Sequence, residues 1–306
     1  MNNLGLYLTS VFIWGSTWFA ITFQLGRVPV EVSVAYRFAL ASALLFAWCA
    51  LRRVPLVYSK SQHAWMALQG ALLFGLNYVL VYLAEEQISS GLVALIFSMI
   101  TFANIASARV FLGTPVRRAT VVAATLGVAG VGLVLWPELG HTVSRGSVWL
   151  GAAFALLSTL SASLGNIAAA RNQRTGMPVM QANAWSMLYG AVLVGAYALF
   201  AGREFTFEPT TAYIGSLVYL ALFGSVVAFG AYLTLVSRIG ADRAGYVGAM
   251  VPIVAVVLST LFEGLRWHPA TFAGIALCVV GNVLVLRTKS RPSADRVAPK
   301  FVPSRD

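Results

Sequence analysis

The sequence predicts an all-α integral membrane protein: ten transmembrane helices, arranged as two five-helix repeats that enter the bilayer in opposite senses. Three observations carry this. Hydrophobic types make up 59% of the 306 residues and charged types 10%, with a mean hydropathy of +0.80. Soluble domains run at roughly 45–50% apolar and about 25% charged. Apolar runs of spanning length follow one another with short connections, and residues of the first half recur in register in the second.

The runs are bounded by charges, Pro and Gly, and each is long enough to cross a hydrocarbon core. They cover 4–24, 32–51, 64–84, 89–111, 119–136, 147–170, 179–200, 213–236, 244–262 and 270–286. The first has no basic segment before it and no small-residue cleavage site, so it is expected to stay as a helix rather than act as a signal peptide. No connection is long enough to hold a soluble domain. The organisation expected is a repeat over 1–142, a second over 143–287, and a basic tail over 288–306. The tail's Pro292, Pro299 and Pro303 among basic residues predict disorder and attraction to anionic lipid.

The repeat shows as identities 151 residues apart. Phe111, Gly113, Ala119, Thr120 and Gly130 match Phe262, Gly264, Ala270, Thr271 and Gly281, and Leu73-Phe74-Gly75 resembles Leu222-Phe223-Gly224 with a two-residue slip. Five spans is an odd number, so the second copy must be inverted. Inverted repeats are a signature of transporters, with the solute site near the midplane between the halves.

Charge sets the orientation. Sixteen Lys and Arg lie on one side, among them Arg52, Arg53, Lys60, Arg117, Arg118, Arg171, Arg174, Arg238, Arg243 and the tail. The other side has Arg27, Arg37, Arg145, Arg203 and Arg266. By the positive-inside rule both termini are cytoplasmic. The net charge of +11 therefore speaks for a membrane surface, and nucleic acid is not expected as a partner. Cys49 and Cys278 both lie inside apolar runs, so neither a disulfide framework nor a metal site is expected, and no cofactor is implied. An intramembrane hydrolase would need in-span His, Asp or paired acids. The runs contain none, nor any Gly-x-Ser-x-Gly, and an enzyme is not expected.

Candidate solute-binding residues are polar and aromatic groups at membrane depth. Asn77, Tyr78 and Tyr82 fall near one face of the third run, and lipid offers an amide nothing to bond. Interhelical hydrogen bonding is the plainer role for that face, and lining a solute path the sharper one. Trp14, Thr17 and Trp18 share a face of the first run, where an indole N–H needs a partner. Met99, Ser158, Tyr246 and Met250 lie within the fourth, sixth and ninth runs, the last two just before Pro252. Arg37 lies about a turn inside the outer end of the second run, where its long stem is expected to snorkel to the interface; the alternative is a counter-charge for a carboxylate. Gly127, Gly130, Gly132, Gly274 and Gly281 mark close-packing seams. Glu85, Glu86 and Glu263 stand at the outer ends of runs, so no buried carboxylate is expected to carry a proton, and a facilitator follows from that.

Taken together, Trp14-Gly15-Ser16, Tyr36-Arg37-Phe38, the stretch from Ser89 to Leu95 and Phe111-Leu112-Gly113 resemble the drug/metabolite transporter superfamily, in its ten-helix EamA type. The match covers nearly the whole chain. It departs from the family pattern at Thr101, where a proline is frequent, and at Gly113-Thr114, where Gly-Glu is. The resemblance implies a two-fold basket of helices around a central cavity, with the fifth and tenth spans holding the halves together. Within the family the chain is most similar to bacterial exporters of aromatic and other amino acids. The function expected is export of amino acids, favouring aromatic and large apolar ones, across the bacterial inner membrane by alternating access. Broad drug or metabolite efflux is the alternative. A monomer suffices, and the oligomeric state is open.

Overall fold

The computed structural model describes residues 1–288 except 114, 117, 139–146 and 266. The expectations placed on Thr114, Arg117, Arg145, Arg266 and the tail beyond 288 lie outside the described residues. The described residues form helices and the connections between them, with no strand among them. Eight helices are long and apolar enough to cross a membrane: α1 (Asn3–Gln24), α2 (Val30–Leu51), α3 (Lys60–Glu85), α4 (Ser90–Phe111), α5 (Arg118–Pro137), α6 (Val148–Arg174), α7 (Val179–Phe200) and α8 (Thr211–Ile239). Two shorter apolar helices follow, α9 (Tyr246–Phe262) and α10 (Pro269–Val285).

Local chemistry sets the ends. The Ser59 hydroxyl accepts from the Gln62 N–H at 3.3 Å, and Gln62 Oε1 accepts from the Ser59 N–H at 2.8 Å. This capping box starts α3 one turn earlier than its apolar run, since capping satisfies donors that hydrophobicity does not report. Asn2, Ser147 and Thr210 cap α1, α6 and α8 with the side-chain half of that arrangement alone, each accepting one backbone N–H of the first turn. Gly113, at φ +67°, ends α4 in the left-handed region.

Two helices carry wide turns in their middles. Residues Gly70–Leu76 of α3 and Tyr219–Val227 of α8 are π-helical. Wide turns loosen the regular ladder and leave carbonyls for other donors. Asn77 Nδ2 donates to Leu73 O at 3.0 Å and Ser161 Oγ to Leu72 O at 2.8 Å. Ser225 Oγ donates to Leu220 O at 3.1 Å and Trp14 Nε1 to Gly224 O at 3.1 Å. The two segments contain the Leu-Phe-Gly triplets of the sequence repeat. α4 breaks near its middle: its helix stops at Phe97 and resumes at Ile100 without a proline, the Ser98 hydroxyl bonding Leu95 O at 2.6 Å. Pro252 sits within a continuous α9.

α5 and α10 form the most extensive pair. A Cβ on Gly130 would lie 2.6 Å from Gly274 O, and one on Gly274 2.5 Å from Gly130 O, so the backbones meet directly. A Cβ on Gly127 would strike the Phe102 ring, and one on Gly281 the carbonyl of Ala123. Gly132 is a correction to the expected seam: it faces open space. Elsewhere α2 packs on α7, α4 on α9, α1 on α8 and α9, and α6 on α3 and α4, with α3 against α7 and α8 against α2. The main core gathers residues from nearly every helix around Phe38, Phe74, Tyr82, Leu95 and Met187.

Candidate functional site

At one end of the bundle Met1 O accepts from Arg238 Nη1 at 2.9 Å, and Tyr246 O from the Tyr7 hydroxyl at 3.3 Å. The opposite end, here the far end, holds Gln24, Glu31, Glu85, Ser90 and Glu263. Between the far end and the middle lies Arg37 of α2. It is 2% exposed, which corrects the expectation that it snorkels. Its guanidinium lies 4.4 Å from the centroid of the Tyr78 ring and 5.2 Å from that of Phe38. Those rings meet edge to face at 4.7 Å. Nη2 points toward Gly224, 3.8 Å from where a Cβ there would stand, and Thr17 Cγ2 fills the rest of that space. The wide turn of α8 thus closes over an arginine that a regular polar surface would have let out.

Its electrostatics are unusual. Nε and Nη1 of Arg37 have no hydrogen-bond partner, nor have Gln24 Nε2, Asn77 Oδ1 and both carboxylate oxygens of Glu85, all of them buried. Buried polar groups are ordinarily bonded, and a buried guanidinium with free donors is costly. Stacking over an aromatic face returns only ~2 kcal/mol when desolvated. The arrangement suits an anionic group brought to Arg37 from outside the protein, held by a planar fork.

The sequence-predicted residues divide into groups. Trp18, Tyr78, Tyr82 and Met99 meet in the main core, with Trp18 5.2 Å from Phe97. Tyr82 is fully buried and donates its hydroxyl to Gln24 Oε1 at 2.6 Å. Asn77 is buried beside them in α3. Thr17 is buried against Gly224 and donates to Trp14 O at 2.7 Å. Trp14 belongs to a second cluster between α1, α8 and α9, packed on Phe229 and Tyr232 at 5.2 Å each. The Ser158 hydroxyl is buried and donates to Ala155 O at 2.7 Å within its own helix. Tyr246 is half-buried, and Met250 is 39% exposed on the outside of α9.

Sequence reasoning gave Arg37 only a minor part and missed Gln24, Glu85 and Ser90. The signal for Arg37 was its depth in the run. Glu85 corrects a second expectation: it stands at a helix end, as its position suggests, yet is 8% exposed because α2, α4 and α6 pack around it. A groove of about 430 Å³ lies elsewhere, between α1, α8 and α9, lined by Phe12, Ser16, Tyr219, Val254 and Leu258 among others. None of the ten predicted residues lines it.

Comparison with known proteins agrees with this architecture. The sequence pattern of the EamA-like transporter family matches residues 3–136 and again residues 149–287. The uncharacterized inner membrane transporter YedA of Escherichia coli is 30% identical over 292 residues, 94% of this chain and 92% of that protein. Protein PagO of Salmonella typhimurium is 23% identical over 95% of each chain, and protein PecM of Dickeya dadantii 24% identical over 92% and 93%. A protein crystal structure matches with a TM-score of 0.66 at 18% identity, over 94% of this chain and 98% of that one, which speaks for the fold. With two matches that together span nearly all of it, the chain belongs to the EamA-like transporter family, of the drug/metabolite transporter superfamily.

Proposed function

We propose that the protein exports amino acids across the bacterial inner membrane, favouring aromatic and large apolar ones, by alternating access between two inverted five-helix repeats. The observation that carries the substrate reading is Arg37: a buried guanidinium with free donors, set against an aromatic face. An α-amino acid presents a carboxylate for the fork and, when its side chain is aromatic, a ring for Tyr78, Phe38 and Trp18. The free amide oxygen of Asn77 supplies an acceptor for the ammonium group. Tyr82, Met99, Thr17 and Ser158 complete the central wall, and Trp14, Tyr246 and Met250 serve the mouth at the opposite end.

Two observations support inverted repeats. Exchanging each helix with the fifth one after it preserves the principal packing pairs: α1 on α8 and α9 becomes α6 on α3 and α4. The π segments of α3 and α8 exchange as well. Rocking of residues 1–142 against 143–287 would open the shut central site to each side in turn. The sixteen-to-five division of basic residues supports cytoplasmic termini, with the far end facing outward. The inner-membrane assignment is supported by the name of YedA. A monomer in lipid suffices for this cycle.

Reconstituted protein loaded with unlabelled phenylalanine should take up labelled phenylalanine by counterflow, in competition with tyrosine and leucine. Absence of exchange with any amino acid would refute the proposal. Broad efflux of amphipathic compounds is the second reading, favoured by the apolar groove between α1, α8 and α9, and exchange of such compounds alone would establish it.

A further inference from the structure

Of the carboxylates at the far end, three are held in different ways. Glu31 pairs with Arg203 at 3.5 Å. Glu263 accepts the backbone N–H of Ser90 at 3.1 Å and its hydroxyl as well. Glu85 alone of the three has both oxygens buried without a donor.

Its ionisable neighbours come from three directions: Glu263 from the end of α9, Arg37 from α2, and Tyr82 one turn back on α3. The other helices packed on that part of α3 add no acid or base near it. α4 has none before Arg109 and α6 none before Arg171. A desolvated carboxylate with no donor on either oxygen is stabilised by whatever positive species reaches it. Glu263 adds a like charge in the same neighbourhood, which strengthens that demand, and Arg37 answers part of it. Two small positive species can reach this place in an amino-acid exporter: a proton from the water at the far end, and the ammonium group of the solute. Glu85 lies two helical turns beyond Asn77 toward the far end, on the way out.

We infer that Glu85, backed by Glu263, is a proton-binding site at which a proton and the solute's ammonium group compete, so that the protein exchanges solute for protons. The inference rests on the amino-acid reading above. As the solute leaves, its carboxylate releases Arg37 and its ammonium pairs with the ionised Glu85. A proton from far-end water then forms an O–H bond on Glu85, the ion pair breaks, and the zwitterion departs with its own protons. After the repeats rock back, Glu85 gives that proton to water on the other side, and the next solute enters. One net positive charge moves inward for each neutral solute moved outward. This replaces the facilitator expected from the sequence, because that expectation assumed no buried acid.

The test uses the full chain in proteoliposomes. With an acid interior, labelled phenylalanine should accumulate up to about tenfold per pH unit, the ratio that one exchanged proton supports, and an uncoupler should abolish the accumulation. Glu85→Gln should slow counterflow, make the residual rate independent of pH and remove accumulation. Glu85→Asp should restore part of the pH dependence, which a purely structural role would not. Wild-type counterflow that ignores the gradient, or accumulation that persists in Glu85→Gln, would overturn the inference. If no amino acid exchanges at all, the functional proposal fails instead, and infrared titration still decides the proton site. A protonated-carboxyl stretch that titrates in the wild type and is missing from Glu85→Gln supports it, and identical spectra overturn it.

Discussion

The Arg37 guanidinium lies over the Tyr78 ring, 4.4 Å from its centroid, with two of its nitrogens unbonded. A charge held this way lowers the stability of the resting protein and raises its appetite for an anion. Stability and transport should therefore respond in opposite senses to its removal. Arg37→Gln is expected to melt no lower than the wild type, while phenylalanine counterflow falls at least tenfold, about 1.4 kcal/mol or more of lost interaction. Arg37→Lys keeps the charge but not the planar fork, so it should recover only part of the flux. Thermal melts in detergent beside counterflow rates measure both arms.

Tyr78 gives one face of its ring to the arginine, and in the proposed function the rest of the ring serves the solute. Tyr78→Phe keeps the ring and is expected to transport at near the wild-type rate. Tyr78→Leu removes an aromatic contact worth about 0.5–1.5 kcal/mol, so phenylalanine should lose roughly two- to tenfold in apparent affinity. Leucine, which gains nothing from a π face, should lose less. The phenylalanine-to-leucine ratio is the quantity to measure, and an unchanged ratio would remove Tyr78 from the solute path.

Asn77 has one satisfied end and one free end: Nδ2 bonds Leu73 O within the wide turn of α3, and Oδ1 has no partner. Asn77→Ala forfeits the first bond, a cost of about 1 kcal/mol in stability. It also removes the acceptor offered to the solute, so flux should fall in protein that still folds. Wild-type rates in Asn77→Ala would take the residue out of the site.

How much of this was readable from the chain follows from the kind of force involved. The spans were readable because hydrophobicity acts residue by residue over twenty positions, and the helices differ from the apolar runs mainly where a cap such as Ser59 extends them. Family membership was readable from motifs in order. The burial of Arg37 was not, because the residue that shuts it in, Gly224, lies 187 positions away on α8 and acts by having no side chain. Glu85 looked like an interfacial acid for the same reason: position along a helix gives depth, and only neighbours give solvation. The wide turns left no mark on composition, though the Leu-Phe-Gly triplets that contain them stood out as a repeat. A third polar feature also went unseen. Asn172 Nδ2 donates to Gln69 Oε1 at 2.9 Å and Gln69 Nε2 to Asn183 Oδ1 at 3.0 Å, a buried amide chain across α6, α3 and α7.

That chain predicts its own mutational signature. Gln69→Leu would strand the Asn172 donor and the Asn183 acceptor away from water, and each stranded buried group costs about 1–3 kcal/mol. Removing all three amides together, with Gln69→Leu, Asn172→Leu and Asn183→Leu, should cost less than the single change, since no polar group is then left without a partner. A triple variant that melts below Gln69→Leu would show that shape, rather than satisfaction of the amides, holds these helices together.

The glycine seam separates packing from helix propensity in one pair of helices. At Gly130 and Gly274 the atoms a Cβ would meet are backbone carbonyls 2.6 and 2.5 Å away, and backbone cannot swing aside as a flexible side chain can. Gly274→Val must push α5 and α10 apart, at an overpacking cost of about 1–3 kcal/mol or more. Gly132 lies on α5 as well, but nothing stands within 4 Å of its Cβ position. There Gly132→Ala gains helix propensity of up to ~1 kcal/mol without a steric charge against it. The expected result is a lower melting temperature for Gly274→Val and an equal or higher one for Gly132→Ala. Equal destabilisation by both would mean that glycine serves α5 through backbone flexibility and not through the contact with α10. Since α5 and α10 form the most extensive of the helix pairs between the two halves of the chain, Gly274→Val should also slow counterflow in whatever protein remains folded.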